Sequence, residues 1–193
     1  MTPTLHSETV QAMAIIRSLC ALFTAKPEAL QIEVVEETPY SVKFDLKTCR
    51  DDHHKLIGRG GATIRALSLI VNCLFPESQV GYAIRDLKEP DSGERAPFMP
   101  AKAVDAYDPS AARDKLGELL EKLCVDRCVV SVEEDREDHP LRFTFTVIPS
   151  DPGDYDFLMG SGMPAKPLKA LDTIWRAYGA ANGVIFRVEA RER

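Results

Sequence analysis

The residues of this 193-residue chain whose types and spacing suit chemistry gather between positions 47 and 65. At their centre is Leu56-Ile57-Gly58-Arg59-Gly60-Gly61-Ala62-Thr63-Ile64. Gly58 can take the left-handed backbone that ends one helix, and Gly61 withdraws a side chain where the next begins. The loop's amides and a helix N-terminus then face outward as an anion site, a geometry that fits a phosphate. Local charge agrees, because Lys47, Arg50, Lys55, Arg59 and Arg65 stand against only Asp51 and Asp52. No Lys-Ser or Lys-Thr pair follows the glycines, as a P-loop would require, and no paired carboxylates lie near at a spacing suited to acid-base work. The expectation is a binding protein and not an enzyme.

Other reactive side chains carry less. His53 and His54 are adjacent, so on a helix they point about 100° apart and do not easily face one ion. Cys49 and His53 have the i, i+4 spacing of a thiol-imidazole pair, yet no oxyanion site or orienting third group accompanies them. Cys124 and Cys128 are one helical turn apart at the end of an apolar helix, which favours burial over reactivity. No metal and no cofactor is expected.

The elements that must position the glycine loop follow from periodicity. Met13, Ile16, Cys20 and Phe23 recur at helical spacing across 7–23, with Ser7 or Thr9 as N-cap. Leu30, Ile32 and Val34, then Tyr40, Val42, Phe44 and Leu46, alternate with polar residues as two paired, half-buried strands. A short helix over 51–57 stops at Gly58. The next carries Ile64, Leu67, Val71 and Leu74 on one face before Pro76, and Val80, Tyr82 and Ile84 make a third strand. Residues 89–110 hold four prolines, Pro90, Pro97, Pro100 and Pro109, and read as an extended connector.

Beyond it the same order returns. Leu116, Leu119, Leu120 and Leu123 mark a helix; Val130 and Val132 a strand; Leu141, Phe143, Phe145 and Val147 another. Leu168, Leu171, Ile174 and Trp175 mark a helix, and Val184, Phe186 and Val188 a last strand. Val35-Glu36-Glu37 matches Val132-Glu133-Glu134, and Asp52-x-x-x-Leu56-Ile57-Gly58 matches Asp154-x-x-x-Leu158-Met159-Gly160. An internal duplication accounts for both the order and the matches.

Ile57, Gly58, Gly61 and Ile64 in this setting resemble the signature of the KH domain of RNA-binding proteins. The leading helix and strand resemble its type II arrangement, found mainly in bacteria, and residues 8–87 are similar to small stand-alone bacterial KH proteins thought to act as RNA chaperones. The resemblance implies an α+β fold of two type II KH-like units, each a three-stranded sheet with three helices packed on one face: a KH domain with its loop over 1–88, the connector at 89–110, and a degenerate copy over 111–193. It further implies single-stranded RNA in a groove beside the loop, its backbone clamped by Gly58, Arg59, Gly60 and Gly61. Lys55, Arg59 and Arg65 would supply the phosphate contacts, and Ile57 and Ile64 complete the set of RNA-binding residues while also serving the core, with Ile64 shared by an apolar groove.

Charge separates the copies. Residues 47–65 carry five cations against two carboxylates, whereas 149–167 carry only Lys166 against Asp151, Asp154 and Asp156. The second loop, Gly160-Ser161-Gly162-Met163-Pro164, puts Met163 where Gly61 stands, obstructing close backbone approach. The second copy is therefore expected to serve packing or a protein partner, and a second copy of the chain is another candidate. The alternative to RNA binding is a protein-interaction module in which both copies have lost nucleic-acid contact. A net charge of −6 argues against broad nonspecific attraction to a long duplex. With 45% hydrophobic residues, no run long enough for a membrane span and five scattered cysteines, the chain is expected in the cytoplasm.

Overall fold

The computed structural model describes residues 4–38, 40–75, 81–86, 103–135, 140–161 and 166–192, and the chain divides into two compact units, Met1–Met99 and Pro100–Arg193. The expected third-strand residue Val80 and the connector as far as 102 lie outside the described residues.

The first unit runs α1 (Thr4–Cys20), a 3-10 turn (Pro27–Ala29), β1 (Gln31–Thr38), β2 (Ser41–Lys47), α2 (Arg50–Ile57), a 3-10 turn (Arg59–Gly61), α3 (Ala62–Leu74) and β3 (Gly81–Asp86). Central strand β2 pairs antiparallel with β1 and parallel with β3, so that Phe44 lies between Val34 and Ile84. A parallel neighbour needs a crossover connection, which α2 and α3 supply. Val42, Phe44 and Leu46 are fully buried at alternate positions of β2, as period two requires. Ile16, Leu67, Ile70 and Val71 from the helices and Phe23 from the turn after α1 complete the core.

Three expectations need correction here. Helix α1 begins at Thr4, ahead of Ser7, and Thr9 is no cap: it is buried in the helix and its Oγ1 donates to Glu37 Oε1 at 3.0 Å. Strand β1 is not half-buried. Only Ile32 is enclosed: Val34, in unbroken register opposite Phe44, is 38% exposed, and Val35, at the register shift that follows, is 44% exposed. Ile64 and Leu74 lie off the enclosed face of α3, where Thr63, Ala66, Leu67, Ile70 and Val71 are buried instead.

The second unit repeats the plan with α4 (Ser110–Leu123), β4 (Cys128–Asp135), β5 (Arg142–Pro149), α5 (Pro152–Met159), α6 (Pro167–Ala181) and β6 (Ile185–Ala190). Its sheet has the order β4-β5-β6 with the same strand senses, and Phe145 lies between Val132 and Val188. Phe186 is the hub of an aromatic core, with ring centroids 5.0 Å from Phe145 and 5.5 Å from both Tyr107 and Tyr178. Tyr107 thus belongs to this core although it falls in the stretch read as connector. Helix α6 approaches β6 so closely that a Cβ on Gly179 would stand 2.8 Å from the Phe186 amide nitrogen, leaving room for glycine alone.

The fold is therefore α+β, with two three-stranded sheets. Among the described residues no helix is long and apolar enough to cross a membrane. All five cysteines are free thiols, and burial pushes that of Cys20 up to about 12.

Candidate functional site

The site begins with how α2 is fixed. Asp52, in its first turn, is fully buried, and its carboxylate accepts the Ala25 amide at 2.8 Å and the Lys26 amide at 2.9 Å. Lys55 Nζ donates to Oδ1 at 2.8 Å, and the Cys49 thiol lies 3.5 Å from Oδ2. Burial alone would raise the carboxyl's pKa, but the Ala25 amide, the Lys55 ammonium and the Lys26 amide outweigh it and hold the group below its ordinary value. This carboxylate fastens α2 to the segment between α1 and β1.

The second unit is fastened in the same way. Buried Asp154 of α5 accepts the Val125 amide at 2.9 Å and the Asp126 amide at 2.8 Å. The shared Asp-x-x-x-Leu spacing marked the repeat, but the tether was not legible: a carboxylate near a helix start reads equally as a dipole partner. The extra signal is that each Asp lies four residues before a leucine that is fully buried, Leu56 or Leu158, which turns that face of the helix inward.

At the far end of α2, Gly58 donates its amide to the His54 carbonyl at 2.9 Å and adopts φ 70°, ψ 175°. That region is open to glycine alone, and a Cβ there would lie 2.2 Å from Thr63 Oγ1. Gly60 (φ 57°, ψ 27°) and Gly61 (φ 79°, ψ 19°) are left-handed as well. The Gly61 amide donates to the Gly58 carbonyl at 3.2 Å, and the Ala62 amide to that of Arg59. Two loop amides are thus spent internally. Those of Arg59 and Gly60 have no backbone acceptor among the described residues.

The expected site residues fall into three groups. Arg59, Gly60 and Arg65 are exposed, and the Arg65 guanidinium folds back over the loop, with Nη1 2.8 Å from where a Gly61 Cβ would be. Ile57 and Ile64 are both half-buried, so an apolar rim flanks the glycines. Lys55 differs from expectation: its ammonium is tied to Asp52 and its side chain is only 21% exposed, because the buried carboxylate needs a counter-charge. The loop's available cations are therefore two guanidinium groups.

The His53 and His54 rings meet edge to face with centroids 5.8 Å apart, and among the described residues no cluster of three or more His, Cys, Asp or Glu could hold a metal. The Cys49 thiol points to the Asp52 carboxylate. Cys124 and Cys128 are not one helical turn apart: Cys124 caps α4 in extended backbone and Cys128 opens β4. Burial, then the contact with Cys128, pushes the Cys124 thiol pKa up. In the second unit Gly160 ends α5 with φ 70° and ψ 35°, and the Ser161 amide returns to the Asp156 carbonyl at 2.9 Å. Gly162, Met163 and Pro164 lie outside the described residues. No family model, curated protein or solved structure matches the chain.

Proposed function

We propose that this is a non-catalytic, cytosolic RNA-binding protein whose first unit is a type II KH-like domain holding single-stranded RNA at its 58–61 loop, as an RNA chaperone or post-transcriptional regulator. The observation that carries the reading is the joint between α2 and α3: three glycines at positive φ, two amides with no backbone acceptor among the described residues, and Arg59 and Arg65 beside them. Backbone amides without internal acceptors and two guanidinium groups form a receptor for phosphate oxygens. The half-buried Ile57 and Ile64 give unstacked bases an apolar surface, which a duplex would not offer. The strand order, with β2 central and parallel to β3, supports the type II assignment.

With Lys55 committed to Asp52, two cations neutralise phosphate at the loop, so log affinity should fall against log salt with a slope of about −1.4 for a single strand. The test replaces Arg59 and Gly60 by Asp. Gly60 has nothing within 4 Å of its Cβ position, and Asp tolerates left-handed backbone, so the fold should survive. Fluorescence anisotropy with a short mixed-sequence single strand at low salt should show affinity reduced about tenfold or more, or 1.4 kcal/mol. A variant that holds the strand as tightly as the parent refutes the loop assignment.

A further inference from the structure

The second unit has a groove of its own, of about 350 Å³, between the end of α5, the outer side of α6 and edge strand β6. Met159 and Leu168 give it partly exposed aliphatic surface over the buried Leu158 and Val188. Lys166, Lys169, Arg176 and Arg187 supply four cations against Asp172 and Glu189. Both carboxylates are occupied. Asp172 Oδ1 accepts the Val188 amide at 3.0 Å and its Oδ2 accepts Arg176 Nε at 2.8 Å, while Glu189 Oε1 accepts Thr146 Oγ1 at 3.3 Å and lies 3.8 Å from Arg191 Nη2. Lys166, Lys169 and Arg187 remain exposed with no carboxylate partner among the described residues, in a chain where acids outnumber Lys and Arg by 30 to 24. The 149–167 sequence window misses this, because Lys169, Arg176 and Arg187 come to the groove from α6 and β6.

Three unpartnered cations around an aliphatic floor select a ligand that is anionic at one end and apolar over a flat face. The volume is at the small end of ligand sites, too little for the several anchors of an amphipathic helix and enough for one nucleotide. We infer that the groove binds a nucleotide unit, with phosphate at Lys166, Lys169 and Arg187 and the base against Met159 and Leu168. The unit can come from a free nucleoside monophosphate or from a single strand. The site belongs to the second unit alone and does not depend on the assignment of the 58–61 loop.

The test uses the full chain carrying Arg59→Asp and Gly60→Asp, which silences the first unit's loop. Methyl NMR follows Met159, Leu168 and Val188 during titration with AMP, adenosine or a short oligoadenylate. Saturable shifts with AMP, and affinity about tenfold or more lower for adenosine, support the site with the free nucleotide as a source. Shifts with the oligonucleotide alone support it with the strand as source. Adding Lys169→Glu and Arg187→Glu should weaken either about tenfold or more. If that variant loses the Phe145 and Phe186 ring signals of the folded core, Lys166→Glu alone, at the exposed start of α6, should still weaken binding several-fold. No saturable shift with any phosphate probe, adenosine binding as well as AMP, undiminished binding after charge reversal, or a glutamate-rich peptide displacing the phosphate probes would each overturn the inference.

Discussion

Replacing Asp154 by Asn tests the carboxylate tether where it can be read alone. Asp154 is 4% exposed and each oxygen accepts one backbone amide, from Val125 and Asp126. Asn keeps one acceptor and turns an NH2 toward the other amide. One charge-assisted bond is lost, the second becomes neutral, and a buried N–H is orphaned, for a cost of about 2–4 kcal/mol. A unit of this size should unfold in urea with a slope of about 1–1.5 kcal/mol per molar, so the midpoint should drop by about 2 M. Trp175, the chain's only tryptophan, is fully buried in α6, which makes its fluorescence a reporter of this unit. A midpoint that falls by less than about 0.5 M would mean the two amides are satisfied without the carboxylate, and the tether argument would be wrong.

Two further outcomes concern the first unit. Gly58→Ala puts a Cβ into a glycine-only conformation and 2.2 Å from Thr63 Oγ1, so it should cost about 3 kcal/mol or more, whereas Gly60→Ala, with open space around it, should cost about 1 kcal/mol; hydrogen exchange of β2 amides reads the difference, and equal effects would contradict the loop geometry. Asp52, whose folded pKa lies below its unfolded one, should contribute stability in full above about pH 4 and lose it as pH falls toward the lowered value. Asp52→Asn should flatten that part of the acid-unfolding profile, and an unchanged acid limb would show that the carboxylate is not held ionised.

Much of the frame was legible because the two central strands state it plainly. Val42, Phe44 and Leu46 in one, and Phe143, Phe145 and Val147 in the other, alternate as half-buried strands must, and all are buried. The leucines of α4 were likewise readable from their 3.6-residue period. What escaped was whatever depends on a distant partner. Val34 looks like strand core, yet it is 38% exposed although it stays in register opposite Phe44. Thr9 looks like a cap until Glu37 arrives from β1. At the candidate site the glycines were readable from type and spacing, since positive φ leaves few alternatives. The commitment of Lys55 was not, because nothing local reveals that Asp52 is buried. Nor could a window along the chain anticipate a groove whose cations arrive from two elements.

Helices α2 and α5 are each eight residues long, with the fastening Asp at the third position and a buried leucine at the seventh. The glycine that follows has φ 70° in both, yet ψ is 175° in one and 35° in the other. One torsion past a shared anchor point therefore sends the chain off in different directions while the anchor stays put. Either loop can therefore change course at that swivel without disturbing its sheet, and exchanging the swivel segments between halves would be a grafting problem local to a handful of residues.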